Sequence, residues 1–505
     1  MRVAVPGEMT APATPGLWVR QRATALRPYL GLFLVLAIAG ALYSPMAFVW
    51  FQTDDFLFMK AFQDSSIAGY IKGAFDIRHA PPAPEIRFYR PLHSTAFLFL
   101  YQVFGLQAAG YHAWSLLVHL FNTCMIWVLA MRLTRRPLVA GLAAAFFALH
   151  PAYTPAIAWI SNNNALMATA AALVSFYCFI RAQDSGRNVS WYAASVVSYG
   201  ASLLFHPEAG TMIVVLFAYR MLYGAGGVRE ALRWRHWMQL LPFGLIALGY
   251  LSIHQWMLSR DYLPQAEGAR IEVHMLRSYA SYMAMSAWPS ATTEPVLRSA
   301  HQLIGLAVML GTIGVLLYCA VARGQRAAAL AVLWFLAALV PLSTGLGLLG
   351  LTTTGRKLYV AGPGLALVLA LFVAPAVETL ATSTRQLARV ALLAACVVVL
   401  ALAGWRVVKY EDQVAVGATQ SHAFITELRE TYPDIPPGTR LYVTRAPISL
   451  AIFGYQPYLQ GIIGLYYKDV EVILDFDGTL PPLQPGDLVF PSTSPTGPSP
   501  PWRQE

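Results

Sequence analysis

Apolar stretches close to twenty residues long recur along most of this chain, and they constrain its fold more than any other feature. A helix of about 20 residues crosses the hydrocarbon core of a bilayer. Of the 505 residues, 57% are hydrophobic and 12% are charged, against roughly 25% charged in soluble domains. The sequence therefore predicts an all-α polytopic membrane protein with about eleven spans. The predicted spans are residues 29–50, 111–131, 138–158, 160–180, 191–206, 209–223, 238–257, 301–321, 328–350, 358–376 and 389–405.

Arginine clusters between these spans predict the topology. Every cluster falls on the cytoplasmic side if the N-terminus is cytoplasmic and the spans alternate, as the positive-inside rule requires. The clusters are Arg132, Arg135 and Arg136, then Arg181 and Arg187, then Arg229, Arg233 and Arg235, then Arg323 and Arg326, then Arg385 and Arg389. Topology therefore explains most of the net charge of +10. No nucleic-acid partner is indicated, because a basic soluble face with interleaved aromatic residues is missing from the sequence.

Composition divides the chain further. Residues 1–28 are predicted to be a cytoplasmic segment, and residues 29–405 a transmembrane domain with two long outer loops, 51–110 and 259–300. A helical pattern followed by three strand-like runs predicts a small α/β domain over residues 406–490, on the outer side of the membrane by the predicted topology. The runs are residues 440–444, 470–474 and 487–490. The Pro- and Ser-rich residues 491–505 predict a disordered tail.

Two adjacent acidic residues, Asp54 and Asp55, directly follow the first span on the predicted outer face. An acidic pair beside a bilayer is costly to hold unless it carries a proton, a cation or a substrate. A carboxylate in this position suits general base chemistry. The alternative is a capping role, because aspartate satisfies free N–H groups at the start of a helix, here one beginning near Phe56.

Several short motifs follow this pair in a characteristic order. They are Arg90-Pro-Leu92, Gly110-Tyr-His-Ala-Trp-Ser-Leu-Leu-Val-His119, Ala148-Leu-His-Pro151, Ala158-Trp-Ile-Ser-Asn162, Phe205-His-Pro-Glu208 and Thr354-Gly-Arg-Lys-Leu-Tyr359. In this order the chain resembles the GT-C superfamily of membrane glycosyltransferases, in particular the protein O-mannosyltransferase-like (glycosyltransferase family 39-like) group. The resemblance covers roughly residues 29–375.

The resemblance implies an enzyme of the bacterial inner membrane with a periplasmic active site and a periplasmic C-terminus. It would transfer a sugar from a polyprenyl-phosphate donor to an acceptor hydroxyl, with Asp54 or Asp55 as general base. The sugar stays open, and so does the acceptor, which could be a protein, a lipid or a glycan. A cofactor stays open: some GT-C enzymes use a divalent cation, but the sequence shows no tight ligand cluster that would support one.

Positive charges on the predicted outer side oppose the positive-inside trend and therefore call for an anionic partner. The donor phosphate suits this role, since arginine presents a planar fork of donors to phosphate. The predicted phosphate-binding residues are Arg356, Lys357, Arg90 and Arg87. The predicted further substrate-binding residues are Glu208, His150, His112 and Tyr359, although the histidines equally suit hydrogen-bonded core positions.

Other functions stay open because the chain departs from the family pattern. Ser115 replaces an asparagine, Pro155 replaces a glutamate, and Asn162-Asn-Asn164 replaces a Gly-Arg-x-Asp segment. The alternatives are a lipid-linked oligosaccharide polymerase or ligase and a non-catalytic scaffold with the same fold. A transporter is disfavoured, since the spans are nearly free of acidic residues and no internal repeat is visible.

Overall fold

A computed structural model shows a helical protein with a small sheet near its C-terminus. The structure describes residues 15–76, 78, 88–186, 188–224, 237–263, 274–287, 300–344, 355–382, 386–444, 456–474 and 482–491. The α-helices of the first half are α1 (Pro15–Tyr43), α2 (Asp54–Asp64), α3 (Ile67–Phe75), α4 (Pro91–Phe104), α5 (Ala108–Thr134), α6 (Pro137–Leu149), α7 (Thr154–Ala158), α8 (Asn164–Asp184), α9 (Val189–Phe205) and α10 (Met212–Tyr223). Those of the second half are α11 (Leu241–Ser259), α12 (His274–Ala287), α13 (Ala300–Ala322), α14 (Arg326–Thr344), α15 (Leu358–Thr382), α16 (Gln386–Thr431) and α17 (Gln456–Gly464).

Short 3₁₀ turns connect several of these helices, and two of them hold residues of the predicted site. The turns are Ser44–Phe48, Pro151–Tyr153, Ile160–Asn162, Pro207–Thr211 and Gly355–Lys357.

The protein is a multi-pass membrane protein. Within the described residues, seven helices are long and apolar enough to cross a bilayer, or eight if one bent pair forms a single span. The seven are Tyr29–Phe48, Ala108–Thr134, Ile160–Asp184, Leu241–Ser259, Leu303–Ala322, Leu358–Thr382 and Gln386–Thr431. Two shorter apolar helices, Val189–Phe205 and Arg326–Leu342, match two further predicted spans. Helix length and composition within the described residues therefore do not confirm the predicted count of about eleven spans.

The bent pair explains part of the difference. Residues 138–158 were predicted to form one span, but the structure breaks it into Pro137–Leu149 and Pro151–Ala158, which meet at 45°. Proline is the cause, because it lacks the backbone N–H and its ring clashes with the preceding turn. Pro151 and Pro155 each stand in the first turn of a new short helix, where proline is tolerated.

Two arginine ion pairs lie at one end of the helical bundle. At one end, Arg132 at the end of α5 pairs with Asp184 at the end of α8, with Nη1 and Oδ2 2.7 Å apart. At the same end of the bundle, Arg136 before α6 pairs with Glu378 in the last turns of α15, with 2.6 Å between Nη2 and Oε2. Since α5 and α8 both run towards this end, their N-termini and the residues around them lie at the opposite end.

Small residues let the central helices approach closely. A Cβ atom on Gly364 of α15 would lie 2.6 Å from the backbone nitrogen of Phe335 in α14. A Cβ on Gly362 would lie 2.8 Å from the hydroxyl oxygen of Tyr153. Close backbone contact of this kind is how helices associate in a bilayer, where burial of apolar surface between helices gains little. These contacts fix the start of α15, which follows the turn holding Arg356.

The C-terminal segment packs beside the end of the bundle opposite the arginine ion pairs. Three strands, β1 (Arg440–Val443), β2 (Glu471–Leu474) and β3 (Leu488–Phe490), form a parallel sheet in the order β2-β1-β3. Leu441 pairs with Val472 on one side and Leu488 on the other. The strands and α17 share a buried apolar cluster with α2 and α4. This segment therefore covers the helix that carries the acidic pair.

Candidate functional site

The two adjacent aspartates at the start of α2 have different surroundings. Asp55 is 1% exposed, and both of its carboxylate oxygens accept backbone hydrogen bonds. Oδ1 accepts from the N–H of Ser161 at 2.8 Å, and Oδ2 accepts from the N–H of Gln52 at 2.9 Å. Burial raises the pKa of Asp55 to about 7, although these hydrogen bonds oppose the rise. Asp55 therefore ties the start of α2 to the turn before α8.

Asp54 is only partly buried, and its carboxylate faces cationic groups. Burial raises its pKa, while the Tyr458 hydroxyl and the charges of Arg356 and Arg90 oppose that rise. The Asp55 carboxylate does not cap α2, because the Gln52 N–H that it accepts from precedes the helix, whose N-cap residue is Thr53. Of the two adjacent aspartates, Asp54 is the one whose carboxylate faces the cations.

The residue before the pair has a strained backbone. Thr53 has φ 44° and ψ −116°, a combination that a β-branched residue adopts only when its surroundings enforce it. Its hydroxyl is buried and has no hydrogen-bond partner among the described residues. The hydrogen bond between the Gln52 N–H and the Asp55 carboxylate links the residues on either side of Thr53, and the bond from Ser161 anchors Asp55 to the turn before α8. These bonds maintain the strained backbone directly before the acidic pair.

We expect Thr53→Gly to stabilise the protein by about 1 kcal/mol, since glycine adopts positive φ without strain and the gain exceeds its entropic cost. Thermal unfolding in detergent should show a higher Tm than that of wild type. Thr53→Ala is the matched control, because it removes the same hydroxyl and methyl groups from this buried position but keeps the Cβ atom that disfavours positive φ. A Thr53→Gly protein no more stable than Thr53→Ala would show that the backbone at this position is not strained.

Arg356 and Lys357 lie in the 3₁₀ turn that precedes α15. The guanidinium of Arg356 stacks over the Trp159 ring, with Cζ 4.7 Å from the ring centroid. Burial lowers its pKa and the nearby Asp54 opposes this, but a guanidinium stays protonated in proteins. Arg90, at the start of α4, is held in the same way over Phe88 at 4.5 Å.

These three cations are not neutralised by direct ion pairs. In the described parts of the chain, no carboxylate oxygen lies within 4.0 Å of a charged nitrogen of Arg356, Lys357 or Arg90. All three side chains are partly buried, and a partly buried charge without a close counter-ion is costly. The cluster is therefore suited to bind an anion.

Glu208 reaches the same region from the turn that follows α9. Its charge acts on Arg356 and on Tyr282 of α12. His206, two residues earlier, accepts a hydrogen bond at Nδ1 from the Glu208 N–H at 3.4 Å. Burial and the charges of Arg90, Lys357 and Arg356 hold the pKa of His206 well below its usual range. His206 is therefore a neutral imidazole, and its 3.7 Å approach to Glu208 is not an ion pair.

Three of the predicted substrate-binding residues form hydrogen bonds within the protein. His112 Nε2 lies 3.1 Å from the Val49 carbonyl oxygen, and His150 Nε2 lies 3.0 Å from that of Ser286. The Tyr359 hydroxyl lies 2.8 Å from His119 Nδ1 and accepts from Asn122 Nδ2 at 3.1 Å. A substrate contact stays a prediction for these residues. Arg87, the remaining predicted phosphate ligand, lies outside the described residues.

Sequence reasoning missed residues that the structure adds to this cluster. Tyr458 comes from α17 and faces Asp54, and Tyr410 comes from α16 and lies near Arg356. No local motif marks either tyrosine. Trp159 stood inside a quoted motif but was not assigned a role. Among the described residues, no group of three His, Cys, Asp or Glu side chains could hold a metal ion.

Curated proteins of known class resemble part of this chain. It is 27% identical over 135 residues to the protein O-mannosyl-transferase TMTC2 of Homo sapiens, and 28% identical over 127 residues to Tmtc3 of Drosophila melanogaster. The matched part covers 26% and 20% of this chain but only 16% and 14% of those two proteins. No protein-family model matches the chain. The predicted resemblance to protein O-mannosyltransferases is confirmed over this part of the chain.

Two solved structures align with most of this chain at low sequence identity. ArnT from Cupriavidus metallidurans bound to undecaprenyl phosphate aligns with a TM-score of 0.46 and 14% identity, covering 88% of this chain and 86% of that one. The archaeal oligosaccharyltransferase AglB from Archaeoglobus fulgidus aligns with a TM-score of 0.49 and 10% identity, covering 88% of this chain and 64% of that one.

Proposed function

We propose that this protein is a membrane glycosyltransferase that moves a sugar from a polyprenyl-phosphate donor to an acceptor hydroxyl. One observation carries the proposal: a carboxylate, Asp54, faces a cluster of partly buried cations, Arg356 and Arg90, that lack close counter-ions among the described residues. A base beside an anion site is the arrangement that this reaction requires. The confirmed resemblance to O-mannosyltransferases supports the same chemistry.

In this reaction Asp54 acts as the general base. It takes the proton of the acceptor hydroxyl as the hydroxyl oxygen forms a bond to the anomeric carbon of the sugar. The bond between that carbon and the phosphate oxygen breaks, and its electron pair leaves with the polyprenyl phosphate. The leaving phosphate needs no strong acid, so one carboxylate is sufficient. Asp55, whose oxygens are both engaged, positions Asp54 without contacting substrate.

The cations stabilise the negative charge that develops on the departing phosphate. Arg356, Lys357 and Arg90 surround the place where that charge would form, and fixed cations in a poorly hydrated site stabilise it strongly. The stacking of Arg356 on Trp159 and of Arg90 on Phe88 holds both guanidinium planes in place before substrate binds. Glu208 would orient Arg356 or contact a sugar hydroxyl.

We place this site on the periplasmic side of a bacterial inner membrane. The positive-inside rule assigns the end of the bundle with Arg132 and Arg136 to the cytoplasm, which leaves Asp54 and Arg356 outside. The N-terminus is then cytoplasmic and the C-terminus periplasmic. We also propose that residues 406–490 form a periplasmic cap, since α17 and the sheet pack on the α2 region.

A donor panel tests the proposal. Purified protein is incubated with undecaprenyl-phosphate derivatives of mannose, glucose and arabinose, together with serine- and threonine-containing peptides or a membrane lipid extract as acceptors. Mannose is the first sugar to test because the relatives are named O-mannosyltransferases. We expect wild type to release undecaprenyl phosphate from one donor, and Asp54→Asn to release it at least about a hundredfold more slowly. Donor untouched by folded wild type would instead favour the scaffold alternative.

The rate should depend on pH through Asp54. Burial raises the pKa of this carboxyl, so its ionised, basic form accumulates only above the ordinary range of aspartate, about 4. We therefore expect kcat/KM for the donor to rise with pH along an acid limb whose midpoint lies above that value. Initial rates between about pH 4 and pH 9 measure it. A midpoint at or below about 4 would contradict a base whose pKa is raised by its partial burial.

A further inference from the structure

Helix α17 of the C-terminal segment lies along helix α2 in a defined register. A Cβ atom on Gly461 would lie 3.2 Å from Leu57 Cδ2 and 3.3 Å from the Phe56 carbonyl carbon. One turn later, a Cβ on Gly464 would lie 2.7 Å from Lys60 Cε. Just beyond α17, the Leu465 carbonyl accepts a hydrogen bond from Gln63 Nε2 at 3.3 Å. The two helices therefore run in the same direction and advance together.

This register places Tyr458 at the acidic pair. Residues three apart on a helix share a face, so Tyr458 lies on the face of α17 that Gly461 presents to α2. One turn before the contact of Gly461 with Phe56, the partner on α2 is Asp54. Apolar packing fixes this arrangement, because Leu459 and Ile462 of α17 belong to the same buried cluster as Phe56 and Leu57.

We propose that Tyr458 is a positioning residue, whose hydroxyl donates a hydrogen bond to the Asp54 carboxylate and aims it at the acceptor hydroxyl. This rests on the proposed role of Asp54 as general base. It assigns the C-terminal segment a part in the reaction, since that segment completes a site otherwise built from residues of the first 357. Removing or displacing the segment would then change the orientation and the pKa of the Asp54 carboxylate, in addition to exposing it to solvent.

The hydrogen bond has a consequence that a packing role would not have. A hydrogen-bond donor stabilises the ionised form of a carboxylate, and the Tyr458 hydroxyl accordingly lowers the pKa of Asp54. The charged groups that face Asp54 are Arg356 from the turn before α15, Arg90 from the start of α4 and the neighbouring Asp55. None of these changes when the hydroxyl alone is removed. Loss of the Tyr458 hydroxyl must therefore raise the pKa of Asp54.

Tyr458→Phe in the full chain tests this while keeping the ring in place. We expect the acid limb of kcat/KM to move up by about one pH unit, the size of one hydrogen bond to a charged group. At pH values lower than the acid limb, the activity of Tyr458→Phe should be about tenfold below that of wild type, and at high pH it should return to near the wild-type value. Tyr466→Phe is the matched control, because it also removes only a hydroxyl. The ring of Tyr466, whose centroid lies 4.8 Å from Arg429 Cζ, stays in place. The same shift in Tyr466→Phe, or an equal loss at every pH in Tyr458→Phe, would overturn the proposal.

A second readout does not require turnover. Infrared titration of the carboxyl stretch, with the Asp54 band identified by its loss in Asp54→Asn, gives the protonation midpoint of Asp54 directly. We expect an upward shift in Tyr458→Phe and a smaller one in Gly461→Ala, whose added methyl group pushes α17 from α2. An unshifted midpoint in a folded Tyr458→Phe protein overturns the hydrogen bond, even if activity falls. A shifted midpoint in a protein that consumes no donor supports the hydrogen bond and refutes the proposed function.

Discussion

Replacing Asp54 by asparagine is expected to lower the rate of sugar transfer by about 10²- to 10⁴-fold, the range that a general base contributes. Asparagine has nearly the same shape but cannot take the proton of the acceptor hydroxyl. Folding should be unaffected, because the substitution removes a charge whose burial is unfavourable. The measurement is kcat/KM for the donor, with thermal unfolding of both proteins under the same conditions.

Asp64→Asn is the matched control for this variant. Asp64 lies at the other end of the same helix and forms an exposed ion pair with Lys60, which is worth at most about 1 kcal/mol. We expect its activity to equal that of wild type. If Asp54→Asn keeps more than about a tenth of the wild-type rate, Asp54 is not the base, and Asp55 becomes the residue to test.

Replacing Arg356 by alanine is expected to lower kcat/KM by about 10²- to 10³-fold, as does the loss of one preorganised group that stabilises transition-state charge. Arg356→Lys should recover only part of this, because an ammonium keeps the charge but not the planar donor fork that stacks on Trp159. The variants are compared by initial rates over a range of donor concentrations, which separates effects on kcat from effects on KM.

Arg132→Ala is the control for loss of an arginine. Arg132 pairs with Asp184 at the end of α5 and α8 opposite the site, so its loss should leave the rate of transfer unchanged. Equal losses in Arg132→Ala and Arg356→Ala would indicate a general effect on folding or membrane insertion. In that case Arg356 has no specific role at the donor phosphate.

The sequence predicted the positions of most helices but not their lengths or breaks. Hydropathy reports how apolar a segment is, whereas length and bending follow from proline and from packing. Residues 209–223 gave only the 12-residue helix α10 because the turn Pro207–Thr211 occupies the start of that segment. The predicted span 389–405 and the polar helix after it form a single helix, Gln386–Thr431.

The acidic pair and Arg356 were identifiable because their motifs stand in a recognisable order. The different roles of Asp54 and Asp55 could not be predicted from the sequence. They depend on the hydrogen bond that Asp55 accepts from the N–H of Ser161, 106 residues away. Tyr458 lies further still along the chain, and its place follows from the packing of α17 on α2. Contacts of this range depend on the assembled fold, and no local pattern encodes them.

The most direct test of the central claim is a single-turnover experiment with protein in excess over radiolabelled undecaprenyl-phosphate sugar. Released undecaprenyl phosphate and labelled acceptor are measured in the same sample, with Asp54→Asn as the blank. The proposed function predicts equal amounts of the two products in wild type, and neither in Asp54→Asn over the time that wild type takes to complete its turnover. Folded wild type that forms no labelled acceptor from any donor in the panel would contradict it.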